Sequence, residues 1–313
     1  MSDIQFDARG RLRHLLTLEG VGRQTLTALL DRAETFRVAP GEAPRRHTWL
    51  AGRTVANLFF EPSTRTRASF ELAARRLGAD VINLDIAASS AVKGESLADT
   101  LYTLEAMNVD VFVVRHKDEG VPALLAQHAA PHVHVLNAGE AHVSHPTQGL
   151  LDVFTIRRHK KDVANLSIAL VGDIKHSRVA RSTVRGLLTL GTRDIRLAGP
   201  KSLLPKKGEL KAELFTDADK AIAGADVVMM LRIQKERMQK AAVPSAAVYF
   251  KRYGLDAKRL KLAKPGAIVM HPGPMNRGIE IAPEVADGPQ SVIREQVTNG
   301  VAIRMAVLQG FYT

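Results

Sequence analysis

The pattern of apolar and polar positions along the chain predicts alternating strands and helices. A mostly apolar run at 55–60 predicts a buried strand, which stops at Pro62. Apolar residues then recur at helical spacing, at Phe70, Ala73, Ala74 and Leu77. The stretch 59–67, Phe-Phe-Glu-Pro-Ser-Thr-Arg-Thr-Arg, therefore lies at a strand-to-helix turn.

The same alternation continues through the rest of the chain. Further strands are predicted at 81–84, 111–114, 132–136, 166–171, 194–197, 227–231 and 267–270. This order predicts an α/β fold of two domains, each a parallel sheet flanked by helices. A basic stretch at 157–162 marks the change of composition between them, and we assign 1–150 to the first domain and 151–290 to the second. The helical pattern at 291–313 predicts a C-terminal helix that packs back on the first domain.

Length and composition restrict the class of protein. The chain has 313 residues, of which 45% are hydrophobic and 24% charged, as expected for a soluble protein with two cores. No apolar run approaches the roughly 20 residues of a membrane span, and the first residues lack the apolar stretch of a signal peptide. The absence of cysteine excludes disulfides and thiolate catalysis. We therefore predict a cytoplasmic enzyme without membrane association.

The formal net charge of +12 indicates anionic partners or substrates. Basic pairs are scattered along the chain, with no zinc spacing and no aromatic-rich basic stripe, so nucleic-acid binding is not expected. A dinucleotide site needs Gly-x-Gly-x-x-Gly after the strand at 166–171, where only Gly172 is present. We predict no cofactor and no metal site.

The strand-to-helix turn has the composition of an anion site. The first amides of a helix have no internal partners and lie at the positive end of the helix dipole. Ser63, Thr64 and Thr66 add hydroxyl donors, while Arg65 and Arg67 add guanidinium groups suited to phosphate oxygens. An ordinary helix cap with solvated arginines is the alternative. Five donor residues in succession favour phosphate binding.

Further charged candidates follow other predicted strands. Arg115 ends a strand, where open parallel sheets bind ligands, and the adjacent His116 is interpreted as a loop histidine bonded to backbone. Arg178 begins a helix, where the dipole repels cations, so its position favours a bound anion. Strand alternation puts Arg232 and Gln234 on one side.

Two motifs carry a resemblance to a known family. Ser-Thr-Arg-Thr-Arg at 63–67 closely resembles the carbamoyl-phosphate motif of the aspartate and ornithine carbamoyltransferase family, and His-Pro-Thr-Gln at 145–148 resembles its His-Pro-x-Gln signature. The resemblance covers essentially the whole chain. It implies four phosphate ligands, which are Ser63, Thr64, Arg65 and Thr66.

The resemblance also implies how the carbamoyl group is held. Arg115 would contact both phosphate and carbamoyl oxygen, His145 would donate to the carbamoyl carbonyl, and Gln148 would contact its amide. Thr66 would lie near the carbamoyl oxygen. The implied catalytic residues are Arg65, Thr66, Arg115 and His145.

The second domain resembles the aspartate-binding members of the family. Arg178 matches the ligand of the α-carboxylate in Gly-Asp-x-x-x-x-Arg, and Arg232 with Gln234 matches the pair that grips the side-chain carboxylate. Ornithine members carry an Asp and a Ser-Met-Gly segment instead, and neither is visible in this sequence.

Other implied substrate contacts lie in two loops. Lys93 and Ser89, with Ser90 as the alternative serine, match a loop that reaches from a neighbouring subunit into the active site, where Lys93 would bind aspartate. Gly273 and Pro274 match further substrate contacts in the His-Pro-Leu-Pro segment of the best-known aspartate enzymes. Gly273 departs from the leucine of that segment. Glycine followed by Met-Asn-Arg-Gly occurs in other aspartate-binding members, including types that assemble with dihydroorotase-like chains.

The sequence departs from the family pattern before its His-Pro-x-Gln signature. Glu140-Ala141 stands where family members commonly have Asp-Gly, which puts the conformation of this loop in question. The nearby His142 has no role that the resemblance assigns.

The resemblance implies carbamoyl transfer from carbamoyl phosphate to L-aspartate, a step of pyrimidine synthesis, by a homotrimer with shared sites. It allows for a larger assembly with dihydroorotase-like or regulatory chains. Such a reaction needs preorganised donors rather than a covalent nucleophile. The alternatives are a carbamoyltransferase for another amino acid and a degenerate homologue with a scaffolding role.

Overall fold

The structure is a computed structural model that describes residues 3–39, 41–84, 96–233 and 245–313. The chain divides into two compact units, Met1–Leu150 with Thr298–Thr313, and Leu151–Val297. Among the helices of the described ranges, none is long and apolar enough to cross a membrane.

The first unit contains a parallel sheet covered by helices. Its elements are α1 (Arg23–Thr35), β1 (Thr54–Phe59), α2 (Thr64–Arg76), β2 (Asp80–Leu84), α3 (Leu97–Ala106), β3 (Val111–His116), α4 (Val121–His128), β4 (His134–Glu140) and the start of α5 (Pro146–Lys160). The four strands are parallel in the order β2-β1-β3-β4. Most residues of β1, β3 and β4 are buried, as expected for a parallel sheet with both faces covered.

The edge of this sheet is protected by the N-terminal segment. The Leu15 amide donates to the Val135 carbonyl at 3.0 Å, and the Leu15 carbonyl accepts from the Asn137 amide at 2.9 Å. These bonds satisfy backbone groups of β4 that an open edge would expose.

The second unit contains the longer sheet. Its elements after α5 are β5 (Ser167–Val171), α6 (Arg178–Leu190), β6 (Asp194–Ala198), β7 (Glu213–Phe215), α7 (Ala218–Ile222), β8 (Val227–Met230), α8 (Ala246–Tyr253), α9 (Ala257–Leu260), β9 (Ile268–Met270), α10 (Pro283–Ala286) and the start of α11 (Ile293–Gly310). The five strands are parallel in the order β7-β6-β5-β8-β9. Tyr249 and Tyr253 of α8 are among the largest side chains in its core.

The end of the chain returns to the first unit. The Arg304 guanidinium lies 4.7 Å above the centre of the Phe70 ring, and the Phe311 ring stacks on His134 with centroids 4.7 Å apart. The predicted fold class is therefore confirmed, including the C-terminal helix that packs on the first domain.

β4 is longer than the apolar pattern predicted. The predicted strand stops at 136, but β4 continues through Asn137 to Glu140, and all seven residues are buried. The Asn137 amide nitrogen Nδ2 donates to the Leu16 carbonyl at 2.8 Å and to Glu140 Oε2 at 2.9 Å. Hydrogen bonding therefore lets polar side chains occupy a buried strand where periodicity predicts none.

The turn after β4 accounts for the departure at Glu140-Ala141. Ala141 has a φ of +41°, in the left-handed region that favours glycine. The turn is held by backbone bonds, from the Ala141 amide to the His116 carbonyl at 3.1 Å and from the Glu140 amide to the Ser144 carbonyl at 2.9 Å. The Glu140 carboxylate also accepts from the Gly120 amide. The loop thus adopts a glycine-like conformation with alanine in place.

Replacing Ala141 with glycine should therefore stabilise the protein. Relief of the left-handed strain outweighs the added flexibility of the unfolded chain, so Ala141→Gly should raise the free energy of unfolding by about 0.5–1 kcal/mol. Ala68→Gly, at an exposed position inside α2, should lower it by about 1 kcal/mol. Thermal unfolding midpoints of the two variants check this. Losses of the same sign and size at both positions would contradict the strain at Ala141.

Candidate functional site

The strand order of the first sheet reverses between β1 and β3, and this switch point defines the β1/β3 crevice. The chain leaves β1 toward β2 on one side and leaves β3 toward β4 on the other, so the connections diverge at the carboxyl ends of these two strands. Phe59 of β1 is in register with Arg115 of β3, and the Phe60 amide donates to the Arg115 carbonyl at 2.9 Å. The strand-to-helix turn and Arg115 therefore lie side by side at the crevice.

The start of α2 presents donors to this crevice. Ser63 is the N-cap residue, yet its side chain makes no capping hydrogen bond to the helix. Thr64 and Arg65 are exposed, and Ser63 and Thr66 are half-buried. Because the hydroxyl of Ser63 is not used to cap α2, the ordinary-cap alternative loses its main support. The helix start retains the open amides of an anion site.

Arg115 is held at the strand end by protein contacts. Its side chain is 13% exposed, with Nε 3.5 Å from Glu61 Oε2, and its Nη1 donates to the Ala138 carbonyl at 3.2 Å. The neighbouring His116 accepts from the Asp118 amide through Nδ1 at 2.9 Å, and burial lowers its pKa. The bond to backbone agrees with the interpretation from sequence, but His116 is the last residue of β3 and not a loop residue.

The His-Pro-x-Gln segment follows the next strand of the same sheet. Pro146 is the first residue of α5, the position that suits proline. The His145 carbonyl accepts from the Gln148 amide at 3.0 Å, and the His145 side chain is buried while that of Gln148 is half-buried. β4 is the neighbour of β3 in the sheet. The structure therefore places seven predicted site residues at the carboxyl ends of the strands of the first sheet, namely Ser63, Thr64, Arg65, Thr66, Arg115, His145 and Gln148. His142 is exposed in the connecting turn.

The strand order of the second sheet reverses between β5 and β8, and this switch point defines the β5/β8 crevice. Connections diverge there because β5 leads to β6 on one side and β8 leads to β9 on the other. The Leu231 amide donates to the Val171 carbonyl at 2.8 Å. Gly172 has a φ of +144°, and a Cβ on it would lie 2.5 Å from the Leu231 carbonyl oxygen. Only glycine permits this approach of the two strand ends.

Arg178 lies after the carboxyl end of β5, at a position that is electrostatically unusual for a cation. It is the first residue of α6 and only 6% exposed. Ser177 caps the helix by accepting from the Ala180 amide at 3.1 Å. Asp173, fully buried after β5, accepts from both the amide and Nδ1 of His176, at 3.1 and 2.9 Å. A buried cation at the positive end of a helix dipole suits a site for anions.

The remaining candidates follow β8 and β9. Arg232 lies two residues beyond β8 and is half-buried. Gly273 and Pro274 follow β9, the neighbour of β8, and the Gly273 amide donates to His271 Nδ1 at 2.8 Å. Three of the predicted site residues lie outside the described residues, namely Ser89, Lys93 and Gln234.

Sequence reasoning missed several charged groups near these crevices. Glu61 contacts Arg115, and Asp173 and Glu280 are fully buried in the second unit. Glu61 and Asp173 had a usable signal, since each lies inside a matched motif, whereas the burial of Glu280 has no signature in one sequence. The described part of the chain has no group of three or more His, Asp or Glu side chains placed to hold a metal ion.

Several solved structures similar to this one are carbamoyltransferases. The ornithine carbamoyltransferase of Thermus thermophilus is 29% identical, with a TM-score of 0.84 over 96% of this chain and 99% of that chain. An aspartate transcarbamoylase of Trypanosoma cruzi in complex with carbamoyl aspartate and phosphate is 33% identical, with a TM-score of 0.84 over 95% of both chains. The same enzyme in complex with carbamoyl phosphate and aspartate is 32% identical, with a TM-score of 0.82 over 98% of this chain and 99% of that chain.

Sequence patterns of one family account for both units. Residues 13–158 match the carbamoyl-phosphate binding domain of aspartate/ornithine carbamoyltransferases, and residues 164–310 match the aspartate/ornithine binding domain. The two matches span nearly all of the chain and agree with both parallel sheets. The chain belongs to the aspartate/ornithine carbamoyltransferase family, and is an enzyme of carbamoyl transfer.

Proposed function

We propose that this enzyme is an aspartate carbamoyltransferase, which converts carbamoyl phosphate and L-aspartate to N-carbamoyl-L-aspartate and phosphate for pyrimidine synthesis. The observation that carries the proposal is the position of Arg178 and Arg232 at the crevice of the second sheet. Two guanidinium groups suit the two carboxylates of aspartate. The side-chain ammonium of ornithine would instead meet Arg232, and like charges brought together cost several kcal/mol.

The first unit binds carbamoyl phosphate in this proposal. Ser63, Thr64, Arg65 and the amides at the start of α2 hold the phosphate, whose charge the helix dipole stabilises. Arg115, held by Glu61, reaches both phosphate and carbamoyl oxygen. The Trypanosoma cruzi structures in complex with carbamoyl phosphate and with phosphate support an anion of this kind in a similar fold.

Catalysis then consists of charge stabilisation and positioning. The amine of aspartate attacks the carbamoyl carbon, and the C–O bond to phosphate breaks as the new C–N bond forms. Negative charge develops on the carbonyl oxygen, where donors from Thr66, Arg115 and His145 stabilise it. The proton lost by the amine leaves with the phosphate, which is a stronger base once released. Gln148 binds the carbamoyl amide and orients it for attack.

The direct test is turnover by the purified enzyme with L-aspartate and with L-ornithine. Phosphate release and identification of the carbamoylated product should show use of aspartate and no citrulline from ornithine. Citrulline formation without carbamoyl aspartate would contradict the assignment. No turnover with any amino acid would favour the scaffolding alternative.

Loss of Arg232 should impair the use of aspartate selectively. Removing the partner of a buried carboxylate costs about 2–5 kcal/mol, so Arg232→Ala should lower kcat/KM for aspartate roughly 30- to 5000-fold. The KM for carbamoyl phosphate should stay within about twofold of the wild-type value, because the substitution removes a contact with aspartate only. Steady-state kinetics with each substrate varied in turn check this.

Arg196→Ala is the matched control for this variant. Arg196 belongs to β6 of the same sheet and pairs with Asp194 at 2.6 Å. Its loss should leave the KM for aspartate unchanged. If Arg196→Ala and Arg232→Ala raised that KM equally, Arg232 would have no special contact with substrate.

We further propose that the active unit is a homotrimer in which Lys93 and Ser89 complete the site of a neighbouring subunit. Exposed apolar side chains support an interface on the first unit, because Leu72 on α2, Tyr102 on α3 and Met107 after it are 45%, 46% and 63% exposed. A closed threefold ring gives every subunit the same donor and acceptor surfaces.

Mixed trimers test this sharing of sites. Lys93→Ala and Arg65→Ala chains should each be inactive alone. If they are unfolded and refolded together in equal amounts, about a quarter of the sites in random trimers should contain neither substitution. Activity should therefore reach about a quarter of the wild-type value. Hybrid trimers as inactive as their parents would place Lys93 in the site of its own chain or outside any site.

A further inference from the structure

A buried side chain in the second unit holds the turn that follows β9. His271 is 1% exposed, and its backbone amide and both ring nitrogens make hydrogen bonds. Its amide donates to Gln296 Oε1 at 2.9 Å, its Nδ1 accepts from the Gly273 amide at 2.8 Å, and its Nε2 lies 3.3 Å from Glu280 Oε1. His271 therefore links the end of β9 to both the turn and Glu280.

The hydrogen bonds of His271 fix its tautomer. Because Nδ1 accepts from the Gly273 amide, the proton of a neutral ring is on Nε2, from which it donates to Glu280. Glu280 Oε1 also accepts from the Asn276 amide at 2.6 Å. One carboxylate oxygen thus holds both ends of the segment that contains Gly273 and Pro274.

The chain of buried hydrogen bonds continues away from this turn. Gln296 Nε2 donates to Asp152 Oδ1 at 2.9 Å, and Thr183 Oγ1 donates to Asp152 Oδ2 at 2.8 Å. Thr183 belongs to α6, the helix that begins with Arg178. Gln296, Asp152 and Thr183 are each at most 2% exposed. Hydrogen bonds between such buried side chains are strong and keep fixed directions. The turn after β9 is thereby fixed to the helix that carries Arg178.

Burial of the Glu280 carboxylate costs free energy. Glu280 is fully buried, and its second oxygen, Oε2, has no hydrogen-bond partner among the described residues. The Tyr249 hydroxyl is also buried with no hydrogen-bond partner among the described residues, and burial, followed by the charge of Glu280, raises the pKa of Tyr249. Burial of an incompletely bonded carboxylate destabilises a fold, so packing alone gives no reason for glutamate at this position.

We infer that Glu280 is a positioning residue, which fixes His271 and, through it, the backbone of Gly273 and Pro274 against the amino-acid substrate. The inference rests on the aspartate reaction proposed above and assigns a new role within it. Glu280 itself contacts no substrate. Its effect is to hold a backbone turn, and displacement of a substrate-binding group by about 1 Å can reduce turnover on the order of 100-fold.

Two substitutions of Glu280 separate positioning from folding. Glu280→Ala should reduce kcat/KM for aspartate on the order of 100-fold and leave the KM for carbamoyl phosphate within about twofold. Glu280→Gln should recover most of the loss, because its amide oxygen can accept from both His271 and Asn276. Thermal unfolding midpoints are measured for each variant beside the kinetics.

Thr192→Val is the matched control, since it removes another buried hydrogen bond of the same unit, from Thr192 Oγ1 to the Val163 carbonyl at 2.9 Å. It should lower the unfolding midpoint without changing kcat/KM. His271→Asn gives a second measurement if Glu280→Ala does not fold. The asparagine side-chain oxygen can still accept from the Gly273 amide, but the side chain cannot reach Glu280. The His271→Asn variant should therefore also have a lower kcat/KM for aspartate than the wild type.

The possible outcomes distinguish the inference from the proposed reaction. Equal kcat/KM for aspartate in wild type, Glu280→Ala and His271→Asn, or a Glu280→Gln variant as impaired as Glu280→Ala, would overturn the positioning role. A wild-type enzyme that uses a different amino acid would overturn the aspartate assignment, and the same comparison of variants with that acceptor then decides the role of Glu280.

Discussion

Parallel pairing of two central strands in each sheet is the constraint on which both candidate anion sites depend. Parallel strands bring their carboxyl ends to one edge, and the connections diverge where the order of strands reverses, at β1/β3 and at β5/β8. In the second unit, Gly172 is required for the strand ends to approach, since a side chain there would collide with the Leu231 carbonyl. Each crevice then receives the start of the helix that follows its first strand.

The two crevices use positive charge differently. Arg65 of the first unit is exposed at the start of α2, whereas Arg178 of the second is buried at the start of α6. An exposed guanidinium can order around phosphate when it binds, and open helix amides share its charge. The helix dipole repels a guanidinium at the start of α6 and favours an anion there. In the proposed reaction, a carboxylate of the amino-acid substrate is that anion.

The sequence predicted those parts of the fold and site that hydrophobic pattern and motif specify together. The turn at 59–67 followed from an apolar run that stops at Pro62 and from a helical pattern after it. The end of β4 was missed because Asn137 and Glu140 are polar residues buried through hydrogen bonds, which periodicity does not register. The short strand β7 has three residues, too few to show a period.

The roles assigned to individual residues also depend on burial and on backbone conformation. The buried state of Glu280 arises from the packing of distant segments, and no local pattern encodes it. The conformation of Ala141 shows the opposite case, since the departure from Asp-Gly marked the position and the backbone angle gives its physical meaning.

Phosphate protection against thermal unfolding tests most directly whether the β1/β3 crevice is the phosphate site. At a concentration 100 times its Kd, a ligand stabilises the folded state by about 2.7 kcal/mol, so phosphate and carbamoyl phosphate should raise the unfolding midpoint of the wild-type enzyme. Arg65→Ala should require far higher concentrations for the same rise. Arg75→Ala should behave as wild type, because Arg75 lies at the other end of α2 and pairs with Glu71 at 3.1 Å. Identical concentration dependence in wild type and Arg65→Ala would contradict the account.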